Sequence, residues 1–250
     1  MEPQNNHFKT QRSSAMNDGH DNVIVRSFEQ RDNHVVRKIF VSSMGEMRGP
    51  FVRDVMYQAI LYGLFLVLPA AFLNIVWSSR FLAFYFVALF SLLLILFTAL
   101  HIGFSLYIKG CLNMDLSSIQ GAYMHQELSH MWVAEVDGRV VGMVGLVPDN
   151  EHIMFGKSRH AFGRLRRMAV LPKFRRLGIA KKLLYELLTY AKGVGYKHVV
   201  LLTTSAQEAA LKFYPKHGFT LISEKLANRA LRGFYHFVYR YDLEKLSKDI

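Results

Sequence analysis

The sequence predicts an α/β layered domain, a sheet flanked by helices, with a membrane hairpin inserted near its start. Three observations carry that expectation. Strand-like and helix-like periodicities alternate along most of the chain. Residues 55–108 are apolar on every face, with Arg80 their one charged side chain. A strand-like run at residues 165–170 leads through the basic turn Pro172-Lys-Phe-Arg-Arg-Leu-Gly178 into an amphipathic helical pattern.

Composition narrows the field before any motif is used. A chain of 250 residues holds one domain with insertions, or two small ones. The net charge of +12 suits an anionic cofactor, anionic lipid headgroups or nucleic acid alike. Cys111 is the single cysteine, which excludes an intrachain disulfide and a thiolate metal cluster. The histidines are scattered without zinc-ligand spacing, so no metal site is expected. Residues 1–21 are polar and lack an apolar signal core, and are expected to form a disordered lead-in.

The elements follow in order. Val23-Ile-Val-Arg26 reads as a short strand, and Val35, Val36, Ile39, Phe40 and Met44 mark a helix ending near Gly45 or Gly49-Pro50. Residues 57–76 and 81–108 are each long enough to cross a bilayer. Apolar on all sides, they would need a much larger protein around them to be buried. A kink is expected at Pro69 and a hairpin turn at Trp77-Ser-Ser-Arg80. Arg37, Lys38, Arg48, Arg53 and Lys109 flank the hairpin and place both ends in the cytosol by the positive-inside rule. A second helix is expected from Asp115 to Gln126, then a β-hairpin turning at Asp137-Gly138. The basic turn leads to a helix closed by Gly193 and Gly195, and residues 197–203 form a buried strand. Ser205-Ala-Gln-Glu208 reads as a capping box opening a last helix, and two closing strands follow.

A basic turn opening directly into a helix brings free backbone N–H groups, the positive end of the helix dipole and two guanidinium groups together. That is what a pyrophosphate needs. A solvated basic loop would carry the same charge; the spacing Arg175-x-x-Gly178-x-Ala180 after a strand is the feature that favours the anion site.

At this point the sequence resembles the GNAT superfamily of acetyl-CoA-dependent N-acetyltransferases. Met168-Ala-Val170 followed by Arg175-Arg-Leu-Gly-Ile-Ala180 is similar to its CoA signature, and Phe213-Tyr-Pro-Lys-His-Gly-Phe219 to its Tyr-x-x-x-Gly-Phe segment. The Trp132-Val-Ala-Glu and Val140-Val-Gly-Met-Val-Gly hairpin is the third match. With an apolar insert between the first two helices, the camello-like, or N-acetyltransferase 8, branch is the one it most resembles. Cysteine-S-conjugate and aspartate N-acetyltransferases belong to that branch.

The resemblance implies a mixed, mainly antiparallel sheet flanked by helices. It divides the chain into an N-acetyltransferase domain (22–50 and 111–246) and a two-pass or re-entrant membrane hairpin (55–108). It implies that Met168, Ala169 and Val170 meet the pantetheine arm and that Arg175, Arg176, Leu177, Gly178, Ile179 and Ala180 hold the pyrophosphate. Tyr214 matches the acid that protonates the departing thiolate, with Pro215 expected to end or bend its helix early. The base is left open among Glu135, His160 and a water relay, because Arg164 stands where some relatives carry a glutamate. One or more of Arg164, Arg166 and Arg167 is available to an acceptor carboxylate, or Arg167 covers the sheet with its stem.

The function expected is transfer of acetyl from acetyl-CoA to the amine of a small, amino-acid-like acceptor, on the endoplasmic reticulum with the catalytic domain in the cytosol. Acetylation of protein or histone lysines, and a silent CoA-binding membrane scaffold, are the competing readings. A nucleic-acid partner is not expected, since the basic residues gather at the turn and the membrane flanks. The acceptor is expected to meet residues 114–130, 148–160 and 225–231.

Overall fold

The computed structural model describes residues 23–65, 79–149, 161–226 and 234–247. The expectations for the lead-in, the Pro69 kink, Trp77, His160 and most of the loops at 148–160 and 225–231 lie outside these residues.

Seven strands form one sheet: β1 (Val23–Ser27), β2 (His130–Val136), β3 (Arg139–Pro148), β4 (Phe162–Val170), β5 (His198–Thr204), β6 (Thr220–Leu226) and β7 (Tyr235–Asp242). Their order is β1-β2-β3-β4-β5-β7-β6, and only the β4–β5 pair is parallel. The mixed, mainly antiparallel sheet is therefore as expected. Asp137 and Gly138 both take positive φ, 48° and 74°, the turn that matches the twist of the β2–β3 hairpin.

Alternate residues of β2 feed two cores. Trp132 and Ala134 join Leu183, Leu187 and Leu188 of helix α3 (Ile179–Gly193), with the side chains of the C-terminal strands. Met131 and Val133 join Val36, Ile39 and Phe40 of helix α1 (Asn33–Phe65), with Ile108 and Cys111 of helix α2 (Ser79–Asn113). A fourth helix, α4 (Glu208–Lys216), packs on β5 and β6.

Four local expectations are corrected. Helix α1 does not stop at Gly45 or Gly49-Pro50; it runs through Pro50 to Phe65. Buried Val52 and Val55 on the far side supply packing that outweighs the one hydrogen bond a proline removes. The second helix shrinks to a single π turn at Gln120–Met124. The Ser205 capping box does not form: Gln207 is the N-cap, and the Ser205 hydroxyl accepts from the Tyr235 N–H instead. Helix α4 continues through Pro215, keeping Tyr214 helical, because a proline in the last turn forfeits only one bond.

Helices α1 and α2 pack along each other. A Cβ on Gly63 would lie 2.7 Å from Leu89 Cδ1, and the Tyr85 hydroxyl donates to the Gly63 carbonyl. Within α2, residues 83–113 are long and apolar enough to cross a membrane, and their apolar window is not buried. Both helices pass without a break across the borders expected at 50–55 and 108–111.

Candidate active site

Strands β4 and β5 pair only at Phe162–His198, Gly163–Val199 and Arg164–Val200. Beyond that point β4 runs on to Val170 without a β5 partner, and the wedge opens into a cleft of about 510 Å³. Met168 and Ala169 line it from β4, Leu201 to Thr204 from β5, and Tyr214 from α4. The opposite wall comes from the long helices: Phe40, Met44, Met47 and Phe51 of α1, with Gly103, Phe104 and Tyr107 of α2. Sequence periodicity marked these α1 and α2 residues only as apolar; nothing in it pointed them at a site.

Tyr214 is buried, and its hydroxyl donates to Met168 Sδ at 3.6 Å. Burial pushes the phenol well above its usual pKa, so it keeps its proton across neutral pH. The cleft holds a neutral phenolic O–H, a proton donor, beside β4. The structure thus brings Met168, Ala169 and Tyr214 together.

At the end of β4 the basic turn takes the expected form. Arg176 and Gly178 both adopt left-handed backbone, φ 66° and 72°, directly before α3. Residues that alternate between left-handed and ordinary backbone, as Arg176, Leu177 and Gly178 do, turn N–H groups to one side, where the unpaired N–H groups of the first helical turn add to them. A Cβ on Gly178 would meet nothing within 4 Å, so open space lies over the turn. These features fit a pyrophosphate. The Arg175 side chain behaves differently from expectation. Its Nε donates to the Val170 carbonyl at 3.1 Å, and its Nη2 sits 2.6 Å from Glu46 of α1. It staples the turn to the strand and to α1, leaving exposed Arg176 as the side chain that forms no ion pair among the described residues. Ile179 is buried as the first residue of the α3 apolar face, so its contribution to the cradle is its backbone.

Glu135 is not brought to the cleft. It accepts from Arg26 Nε at 2.9 Å, while the two Arg26 Nη atoms hold Asp32 at 2.7 and 2.9 Å. The Asp32 carboxyl would be raised by burial, but the bonds from Arg26 and the Glu29 N–H overcome this and hold it low. This network braces β1 against β2 and the start of α1.

The three arginines of β4 share one side because of a bulge. Strict alternation would send Arg167 to the opposite face from Arg164 and Arg166. The β3–β4 register slips between Met143 and Gly145, and Arg167 takes φ 56°. Arg167 then binds Asp115 with two bonds, 3.0 Å from Nε and 2.6 Å from Nη2, and lies over the Phe40 ring. Tyr123 donates its hydroxyl to the same carboxylate. Burial opposes the charge on Asp115, yet the bonds from Arg167 and Tyr123 hold its carboxyl below the usual range. Arg164 pairs with Asp149 at 3.2 Å. In the sequence Asp115 marks only the expected start of a helix; no local signal ties it to an arginine 52 residues away.

The fold and this site define a class. The profile of the Acetyltransferase (GNAT) family matches residues 103–219. Two solved structures share the architecture at low identity. An acetyltransferase of the GNAT family from Staphylococcus aureus Mu50 has TM-score 0.52 at 16% identity, covering 88% of this chain and 99% of that one. An N-acetyltransferase from the same strain has TM-score 0.51 at 14% identity, covering 89% and 99%. The chain belongs to the GNAT family of acetyl-CoA-dependent N-acetyltransferases.

Within that family it is similar to the N-acetyltransferase 8 proteins. It is 31% identical to N-acetyltransferase 8 of Mus musculus, over 82% of this chain and 87% of the mouse protein. It is 30% identical to N-acetyltransferase family 8 member 2 of Rattus norvegicus, over 86% and 93%.

Proposed function

We propose that this enzyme is held in the endoplasmic reticulum membrane by its α1–α2 hairpin and acetylates the amine of a small, amino-acid-like acceptor on the cytosolic face. The cleft at the β4–β5 wedge, with a protonated Tyr214 beside Met168, is the observation that carries the reading. Acetyl-CoA supplies an acetyl thioester whose carbonyl carbon forms the new C–N bond as its C–S bond breaks. The edge of β4 at Met168 and Ala169, beyond its pairing with β5, offers backbone groups that fix the arm and the carbonyl, while the Val170 carbonyl is engaged by Arg175. The turn from Arg176 to Ala180 holds the pyrophosphate, with Arg175 bracing it. Tyr214 gives its phenolic proton to the departing thiolate. Glu135, engaged by Arg26 outside the cleft, is not given the base role; the proton lost by the amine leaves through water in the open cleft.

The membrane placement rests on the apolar exposed helix at 83–113 and on where the hairpin begins and ends. Val36 and Phe40 of α1 and Ile108 and Cys111 of α2 enter one core, so both ends return to the same side. A small acceptor is favoured by the walls of the cleft, which α1 and α2 close on the side opposite β4.

Full-length protein in lipid vesicles, given radiolabelled acetyl-CoA and a panel of amino acids, cysteine S-conjugates and histones, tests the reading. Label in small amines is expected. Label confined to histones makes it a lysine acetyltransferase, and bound acetyl-CoA without transfer makes it a scaffold. In sealed microsomes the C-terminus should be open to protease; a protected one overturns the cytosolic placement.

A further inference from the structure

The bulge in β4 gathers three guanidinium groups on one side of the sheet, but the described carboxylates there balance only two. Arg164 has Asp149 at 3.2 Å, and the Asp149 side chain is wholly buried. Arg167 has Asp115, whose oxygens also accept from Tyr123. Arg166 forms no ion pair among the described residues. Asp115 lies within electrostatic range of it, but that carboxylate is already held by two other donors.

Like Arg164, Arg166 lines both the catalytic cleft and a second cavity of about 190 Å³ bounded by Asp115, Tyr123, Gln126 and Pro148; what separates the two is the carboxylate that Arg164 already holds. Arg166 is half-buried, so its charge is less screened than that of a surface arginine. It stands two residues before Met168 with the bulge at Arg167 between them, at most about 7 Å along the chain, a span that a small amino acid together with a guanidinium arm covers. A half-buried guanidinium that forms no ion pair among the described residues, beside a reaction cleft, favours an anion, and its planar fork matches a carboxylate.

Resting on the reading that the acceptor is a small amine, we infer that Arg166 is the specificity-determining residue that binds a carboxylate on the acceptor and so points its amine at the thioester near Met168 and Tyr214. Arg164 and Arg167 do not share this role. Their guanidinium groups are already held by Asp149 and Asp115.

The test uses full-length protein in vesicles and pairs of acceptors that differ only at the carboxyl group: a free amino acid against its carboxamide and its decarboxylated amine. The wild type should favour the free acid by roughly 10- to 100-fold in kcat/KM, the range of a hydrogen-bonded charge. In Arg166→Met that ratio should fall to within a few-fold of one, through the KM of the acid, while acetyl-CoA affinity is retained. Arg166→Lys should recover only part of the ratio, because a point charge replaces the fork. A wild type that ignores the carboxyl group, or an Arg166→Met variant that keeps the ratio, overturns the assignment. Failure to acetylate any amine despite bound acetyl-CoA overturns the proposed function itself, so the two failures are distinct.

Discussion

Helices α3 and α1 cover opposite faces of the same sheet, and the two faces are made differently. The α3 face is an apolar core of Trp132, Val144, Leu183, Leu187 and their neighbours, with Tyr214 at the cleft edge. Its chemistry is concentrated in consecutive residues of one turn. The α1 face packs Phe40, Met131 and Tyr123 around charged pairs, Arg167 with Asp115 and Arg26 with Asp32. Its partners come from distant parts of the chain. On the proposed reading, donor binding is thus built locally and the acceptor side by long-range pairing. A change on the first face should alter chemistry without weakening the fold, whereas one on the second should reach the fold first.

Tyr214→Phe probes the first half of that contrast and carries the largest expected effect. The one hydrogen bond lost is the long contact to Met168 Sδ, so the melting temperature should stay close to that of the wild type. Removing the proton donor should lower kcat by about 10²- to 10⁴-fold with acetyl-CoA affinity retained. Because burial raises the phenol above its ordinary value of 10.0, the wild type should hold this acid's contribution to beyond pH 10. Normal turnover in the variant would remove Tyr214 from the mechanism and the contrast with it.

Asp115→Asn probes the other face. It leaves the Arg167 guanidinium, whose side chain is 10% exposed, without a carboxylate. Breaking such a pair typically costs about 3–5 kcal/mol, and thermal unfolding of the full chain in detergent would register it. The pH dependence has a definite sign. The Asp115 carboxyl lies lower folded than unfolded, so its stabilisation is complete above its ordinary 3.8 and is lost as pH falls through the folded value. The wild type should therefore have an acid limb that Asp115→Asn shows in reduced form. A variant as stable as the wild type would mean that the pair is replaceable and the two faces are alike.

The same division explains what could be read from the sequence. The strand, the turn at Arg175 to Gly178 and the apolar face of α3 are contiguous, so spacing alone placed them. The long apolar helix α2 was legible because residues 81–108 contain no Asp, Glu, Lys or Arg. The site's other wall was not. Phe51 reaches the cleft as a helical residue because α1 continues past its Gly49-Pro50 signal, a tertiary packing effect that overrides local propensity, and Phe104 meets it from a helix about 50 residues away. Tyr214 meets Met168 across 46 residues and Arg167 meets Asp115 across 52. The bulge that re-aims Arg167 leaves no mark in an alternation pattern, which would have sent that arginine to the α3 face. Glu135 shows the converse: a carboxylate on a strand suggested a base, and its geometry gave it to Arg26.

The smallest effect is expected at the turn, and it separates two causes that one substitution would confuse. Gly178 has φ 72°, which strains most side chains, and open space where its Cβ would be. Gly178→Val should suffer both strain, about 1–3 kcal/mol, and a methyl pair standing in the path of the pyrophosphate. Gly178→Asn tolerates the left-handed backbone far better and so isolates the crowding. Both variants should fold, since nothing lies within 4 Å to clash. Calorimetric titration with acetyl-CoA should show Val weaker than wild type by roughly tenfold or more, with Asn between them. Wild-type affinity in both would mean that the phosphates pass elsewhere. The α3 face would then hold the donor by its β4 edge alone, and the local half of the contrast would lie in a strand rather than a turn.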